Sequence, residues 1–179
     1  NIRLAIANLE DLSIRSILTY QCADFDNLDG AIKQYQDDSG ESFDMACIDV
    51  ATAVVADQVN LTNNHWSFSQ AEIKSQFDLS KLYVINDFTA IAMSVPHISD
   101  DKKHQIGGDQ AQINKPIAIY GAGTGLGVAH LVHTGDKWMA LSGEGGHVDF
   151  APIDQDEINI LKELQKKYQR VSAEQLLSG

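Results

Sequence analysis

The 179-residue sequence is poor in positive charge: thirteen lysines and arginines stand against twenty-five aspartates and glutamates, a net charge of −12. That balance argues against a nucleic-acid backbone or an anionic membrane surface as partner, since both recruit proteins through clustered cations. Cysteine is scarce as well. Cys22 and Cys47 lie in strand-like apolar runs at no metal-ligand spacing, so they read as small buried hydrophobes and not as a disulfide or a ligand pair. No uninterrupted apolar stretch approaches the roughly 20 residues a membrane helix needs, and no signal-peptide pattern opens the sequence, so a cytoplasmic location is expected. Internal repeats and low-complexity tracts are missing too. What is left is an acidic globular chain with enough apolar residues to bury one core or two small ones.

The most informative stretch is the apolar run Leu82 to Asn86, followed at once by Asp87 and the helix-like Phe88-Thr89-Ala90-Ile91-Ala92-Met93. A strand that passes straight into a helix presents its last side chains to a crevice while the sheet holds their backbone. Around it, alternation predicts strands over Asn1 to Leu9 and Ile14 to Tyr20. The spacing of Phe25, Leu28, Ile32 and Tyr35 predicts a helix from Asp24 to Asp38, stopped by Ser39-Gly40. Strands are expected over Phe43 to Val50 and Val54 to Leu61, then a short helix with Ser69 and Glu72 as a capping box. The helix after Asp87 runs until Pro96 blocks it. A polar, lysine-bearing passage from Ser99 to Lys115 separates this half from a β-meander at Ile117 to Tyr120, Val128 to Val132 and Lys137 to Leu141. Asp154 caps a helix carrying Ile158, Leu161, Leu164 and Tyr168, and Ser172 with Gln175 starts another. Two domains follow from this order, residues 1–97 and 98–179. The first strand begins without a preceding cap or linker and the last helix is short, which leads to the expectation of a chain truncated at both ends.

Two glycine clusters interrupt the second half. Gly121 to Gly127 matches neither the dinucleotide fingerprint nor a P-loop. It reads either as a hairpin turn that uses glycine for positive φ, or as a turn whose Gly123, Thr124 and Gly125 amides, with the Thr124 hydroxyl, converge on phosphate oxygens. The second cluster is Gly143-Glu144-Gly145-Gly146-His147, in which a kinked loop could turn Glu144 and His147 toward one polar ligand. Carboxylate and imidazole suit neighbouring sugar hydroxyls, which both donate and accept. One histidine with one glutamate and no nearby cysteine is too small a set for zinc, so no metal site is expected. His130 and His133, three apart on a strand, face opposite ways. Asp87 reads as a helix N-cap or as a weak general base that aims a hydroxyl in phosphoryl transfer. Glu174 reads locally as an acidic residue complementing a helix dipole.

Taken together, Thr62-Asn63 with Trp66, Ile85 to Ala90, Gly121 to His130, Gly143 to Pro152 and Val171 to Gly179 resemble, in order and spacing, the bacterial-type glucokinases of the sugar kinase, Hsp70 and actin superfamily. The resemblance implies an α/β, actin-like ATPase (ribonuclease H-like) fold, with the small domain plus the first part of the large one present and glucose bound in the cleft between them. It implies transfer of the ATP γ-phosphoryl group to the 6-hydroxyl of glucose, with Mg²⁺ as cofactor and Asp87 as base. Asn86, Asp87, Glu144, His147 and Glu174 would hold the sugar, Gly123, Thr124 and Gly125 would form a phosphate-binding turn, and Thr62 and Asn63 would shape the pocket. Val148-Asp149-Phe150 follows His147 where repressor-type sugar kinases carry a cysteine-rich zinc motif, which implies the zinc-free group. A homodimer is compatible with the resemblance. The Asp-x-Gly-Gly-Thr phosphate loop that opens the family is represented only by its tail at Asn1 and Arg3, so low turnover by this chain alone is expected. A non-catalytic sugar-binding fragment or sensor, and a kinase for another hexose, are the alternative readings.

Overall fold

A computed structural model describes residues 1–61 and 65–178, with Ser142 described in its backbone only. Thr62 and Asn63, expected to shape a sugar pocket, lie outside the described residues. The chain is mixed α/β and divides into two compact units, Asn1–Asp87 and Phe88–Gly179. The sequence pattern put the division after His97. The compact units divide ten residues earlier because the intervening helix packs its apolar face on the second unit's sheet.

In the first unit β1 (Ile2–Ala7) pairs antiparallel with β2 (Ile14–Tyr20), and the alternation of Ile2, Leu4 and Ile6 with exposed neighbours is realised in β1. Helix α1 (Leu28–Ser39) starts later than the spacing suggested. Asn27 accepts a hydrogen bond from the Gly30 amide and fixes the first turn there, leaving Phe25 outside the helix. Gly40 at φ 67° ends it in the left-handed conformation that glycine tolerates best. Strand β3 (Met45–Val50) runs parallel to β6 (Lys81–Asn86), with Val50 opposite Asn86. Only β4 (Gln58–Asn60) of the longer strand expected there is regular, paired with β5 (Ser67–Ser69).

Asp57 organises the entry to α2 (Gln70–Gln76): it accepts from the Ser69 hydroxyl at 2.5 Å and from the Ala71 amide at 2.9 Å. These bonds, the hydroxyl's first, hold its carboxyl below the usual aspartate range. The core joins Leu28, Ala31 and Ile32 to Val50, Val59, Trp66, Phe68, Ile73 and Val84. The cysteines depart from expectation. Cys22 is half-buried and Cys47 is exposed, and both line a cavity of about 720 Å³ in the first unit.

In the second unit α3 (Asp87–Ser94) packs on an antiparallel sheet in the order β7 (Ile117–Ala122), β8 (Leu126–His133), β9 (Trp138–Gly143). The predicted meander is therefore present, with longer strands than the apolar runs alone indicated. Helix α4 (Gln155–Gln165) begins at Asp154, whose carboxylate accepts from the Glu157 amide. A bridge between Asp149 and Ser172 then brings the chain to the short α5 (Glu174–Leu177). No helix of the described residues is long and apolar enough to cross a membrane.

Candidate functional site

Asn86 is the last residue of β6 and Asp87 the first of α3, as the sequence pattern required. Parallel pairing with β3 fixes the backbone of Asn86, and its amide nitrogen donates to the Thr52 carbonyl at 3.5 Å. Asp87 is half-buried where β6 passes into α3.

In the second unit Gly145 and Gly146 serve close packing. Beyond β9, residues Gly145–His147 form a 3-10 turn closed by the His147 amide donating to the Glu144 carbonyl at 3.0 Å. A Cβ on Gly145 would lie 2.8 Å from Val128 Cγ1, and one on Gly146 would lie 2.2 Å from the Leu126 carbonyl oxygen. The turn therefore sits directly on the start of β8. None of the glycines from Gly121 to Gly127 has a positive φ, so the first cluster is not a turn that needs glycine for its backbone angles.

Glu174 is the centre of this arrangement. The Ser172 amide donates to Gln175 Oε1 at 2.8 Å and the Gln175 amide to Ser172 Oγ at 3.4 Å, a reciprocal cap that leaves the Glu174 carboxylate for other partners. Its Oε2 accepts from the Leu126 amide at 2.9 Å, and its Oε1 lies 3.4 Å from His147 Nε2. A Cβ on Gly125 would meet the same Oε2 at 2.9 Å. One carboxylate thus links the glycine turn before β8 to the imidazole of the second cluster. The locally bland view of Glu174 as a dipole-complementing residue does not describe where its side chain goes.

Within the turn itself the Gly123 amide already donates to the Gly125 carbonyl at 2.8 Å. The Thr124 and Gly125 amides have no backbone partner among the described residues, and Thr124 is exposed. Glu144 is exposed at the entrance of the 3-10 turn.

Sequence reasoning missed Arg170. Its guanidinium donates through Nε to the Asp149 carboxylate and through Nη2 to the His147 carbonyl at 2.7 Å, clamping the turn that carries the imidazole. Nothing in its spacing announces this, since the contact depends on the Asp149–Ser172 bridge. His133 packs edge-on against Trp138 at 4.9 Å while His130 is exposed, in keeping with opposite faces of β8. The cavity of the first unit is lined by consecutive residues of β1 and β3, and neither Asn86 nor Asp87 is among its lining residues.

Carboxylates, an imidazole and a glycine turn thus lie at strand ends of a mixed α/β chain, where such folds place their polar chemistry. A family model described as Glucokinase matches residues 1–179, and the chain belongs to the glucokinase family. Glucokinases of Tolumonas auensis and Psychromonas ingrahamii are 49% and 46% identical to it over 179 residues. The chain spans 56% of the length of each of these relatives. A crystal structure of glucokinase from an Antarctic psychrotroph matches with a TM-score of 0.88 and 36% identity, covering 99% of this chain and 57% of that one. A glucokinase from Balamuthia mandrillaris, solved in complex with glucose, matches with a TM-score of 0.64 at 21% identity over 99% of this chain and 56% of its own, a likeness of fold. Glucokinases have the actin-like ATPase fold.

Proposed function

We propose that the protein is an ATP-dependent glucokinase, transferring the γ-phosphoryl group of ATP to the 6-hydroxyl of glucose. The observation that carries this is the family match along all 179 residues, which takes in every residue named for the site. In this reading the first unit belongs to the small domain and the second to the beginning of the large one.

Asp87 is the base. Phosphoryl transfer passes through a loose transition state, so the attacking hydroxyl needs aiming and a late proton acceptor more than early deprotonation. An aspartate at the first position of a helix suits that task, because the end of β6 and the first turn of α3 fix its backbone. Asn86 supplies a fixed amide beside it. Glu144, His147 and Glu174 orient the remaining hydroxyls, and the Glu174 carboxylate keeps the imidazole in place while bonding the Leu126 amide.

ATP, when bound, supplies the phosphoryl group. Gly123, Thr124 and Gly125 fit one of its phosphates in part: the Thr124 and Gly125 amides and the Thr124 hydroxyl are available, whereas the Gly123 amide is taken by the turn. In this reading Mg²⁺ accompanies the nucleotide. The enzyme is placed in the cytoplasm, with neither nucleic acid nor membrane as partner, and a homodimer is compatible with this reading.

A coupled assay for glucose 6-phosphate, with calorimetry of glucose binding, tests the proposal. The Asp87→Asn variant is expected to lose about a hundredfold or more in turnover while glucose affinity changes by a few-fold. Glucose binding unaffected by nucleotide, with no glucose 6-phosphate formed by the unaltered protein, would favour a sugar sensor instead. Faster turnover of mannose or fructose than of glucose would move the assignment to another hexose.

A further inference from the structure

Two glycines of the first cluster face neither the turn nor any of the site residues described above. On the inner face of the second unit's sheet, successive pairs across β7 and β8 are Ile117 with Leu131, Ile119 with Ala129, and Gly121 with Gly127. Residues two apart on a strand share a face, so side-chain bulk falls to nothing along this face. Helix α3 lies over it, with Phe88 and Ala92 one turn apart and Val95 just past its end in the same apolar cluster. The vacated end of the face is filled by Phe88. A Cβ on Gly127 would lie 2.0 Å from Phe88 Cε2 and 2.4 Å from Cζ, and one on Gly121 would lie 3.1 Å from Cζ. Neither glycine has a positive φ, so the aromatic ring, and not the backbone conformation, requires them.

We infer that Phe88 is the positioning residue for Asp87: its ring, seated in the notch between Gly121 and Gly127, fixes the first turn of α3 and with it the backbone on which the base stands. The inference rests on the reading of Asp87 as the base. The two residues are consecutive, with α-carbons about 3.8 Å apart across one peptide, so whatever part of the ring's displacement is not taken up by rotation about its side-chain bonds moves the Phe88 backbone and with it that of Asp87. An alanine at position 127 would force the ring out from 2.0 Å to an ordinary carbon–carbon contact of about 3.5 Å or more. A shift of about 1 Å at a catalytic group is enough to cost about a hundredfold in rate. This assigns the glycines of the cluster two separate duties. Gly123 and Gly125 belong to the turn, and Gly121 and Gly127 to the seat of the ring.

The test compares Gly127→Ala, Gly121→Ala, Phe88→Leu and the double variant Gly127→Ala/Phe88→Leu in glucose phosphorylation and in hydrogen exchange of the amides from Phe88 to Ile91. Gly127→Ala is expected to lower kcat by about 10- to 100-fold with KM for glucose within about fivefold, and to speed exchange of these amides about tenfold. Gly121→Ala, with its milder approach, shifts both in the same direction by less, and serves if Gly127→Ala does not fold. Trimming the ring makes room for the new methyl group, so the double variant recovers most of what Gly127→Ala loses. Turnover by Gly127→Ala or Gly121→Ala that is unchanged alongside unchanged exchange, or a double variant in which the losses simply add, overturns the inference. If the unaltered protein neither binds glucose nor forms glucose 6-phosphate, the kinase reading fails. The exchange measurements then still decide whether the notch fixes the start of α3.

Discussion

Gly146→Ala probes the seat of the second glycine cluster most directly. A Cβ there would stand 2.2 Å from the Leu126 carbonyl oxygen, 2.9 Å from Leu126 Cβ and 3.1 Å from the Leu126 carbonyl carbon. Ordinary carbon–oxygen contacts begin at about 3.3 Å, so the 3-10 turn must retreat by about 1 Å. The strand offers little give, because the Leu126 amide is bonded to Glu174 and the residue is paired with Ala122. Overpacking of this kind costs about 1–3 kcal/mol, and a backbone obstacle puts it near the upper end. The loss of unfolded-chain freedom on replacing glycine offsets about 0.4–1 kcal/mol, leaving a net destabilisation of about 2 kcal/mol. Gly108→Ala is the contrasting control: its φ is +71° with open space around it, so only the left-handed backbone penalty of about 1 kcal/mol applies. The chain has two tryptophans, Trp66 in the core of the first unit and Trp138 in the second unit's sheet. In a Trp66→Phe background, fluorescence in urea therefore reports the second unit alone. With a slope of about 1 kcal/mol per molar for a unit of this size, Gly146→Ala should lower the midpoint by about 2 M. A midpoint within about 0.3 M of the background, well inside that expected shift, would show that the turn does not rest on β8 as described.

Glu174→Gln keeps an acceptor for the Leu126 amide but removes the charge beside His147, so glucose affinity measured by calorimetry should fall about tenfold with little change in stability. Glu174→Ala loses the acceptor as well and should cost a further ~1 kcal/mol in urea unfolding. Arg170→Lys cannot bridge the Asp149 carboxylate and the His147 carbonyl at once. It should weaken glucose binding by about two- to fivefold while stability changes by under about 1 kcal/mol, as for an exposed pair. For Asp57 the folded carboxyl titrates below its unfolded value, held down by the Ser69 hydroxyl and then by the Ala71 amide. The stability it contributes is therefore present above the ordinary aspartate pKa and is lost as pH falls through the folded one. The thermal-midpoint advantage over Asp57→Asn should be constant from about pH 7 to 5 and shrink below about pH 4.

What could be read from the sequence divides by the range of the interaction involved. The strand ending at Asn86, the helix beginning at Asp87, the Ser69 and Ser172 caps and the second half's meander depend on neighbours within a few residues, and all are present. The shift of α1 to Leu28 is also local, but Asn27 at the cap outweighed the apolar spacing that began at Phe25. Cys47 was misjudged because an apolar run does not reveal which face of a strand is left uncovered. Arg170 and the true partners of Glu174 could not be read at all, since each contact joins residues more than twenty apart.

The glycines show the same limit most sharply. In a sequence, glycine signals permission, either for positive φ or for a close neighbour, without saying which. Here Gly40, Gly107, Gly108 and Gly135 take the first option, all outside the two clusters, whereas Gly121, Gly125, Gly127, Gly145 and Gly146 take the second. What approaches them is Phe88, Glu174, Val128 and Leu126. Glycines kept for close approach transmit position, because any movement of one partner is felt by the other. The second unit thereby holds a carboxylate, an imidazole and a glycine turn in register. The residues whose size matters most to that register are the ones with no side chain.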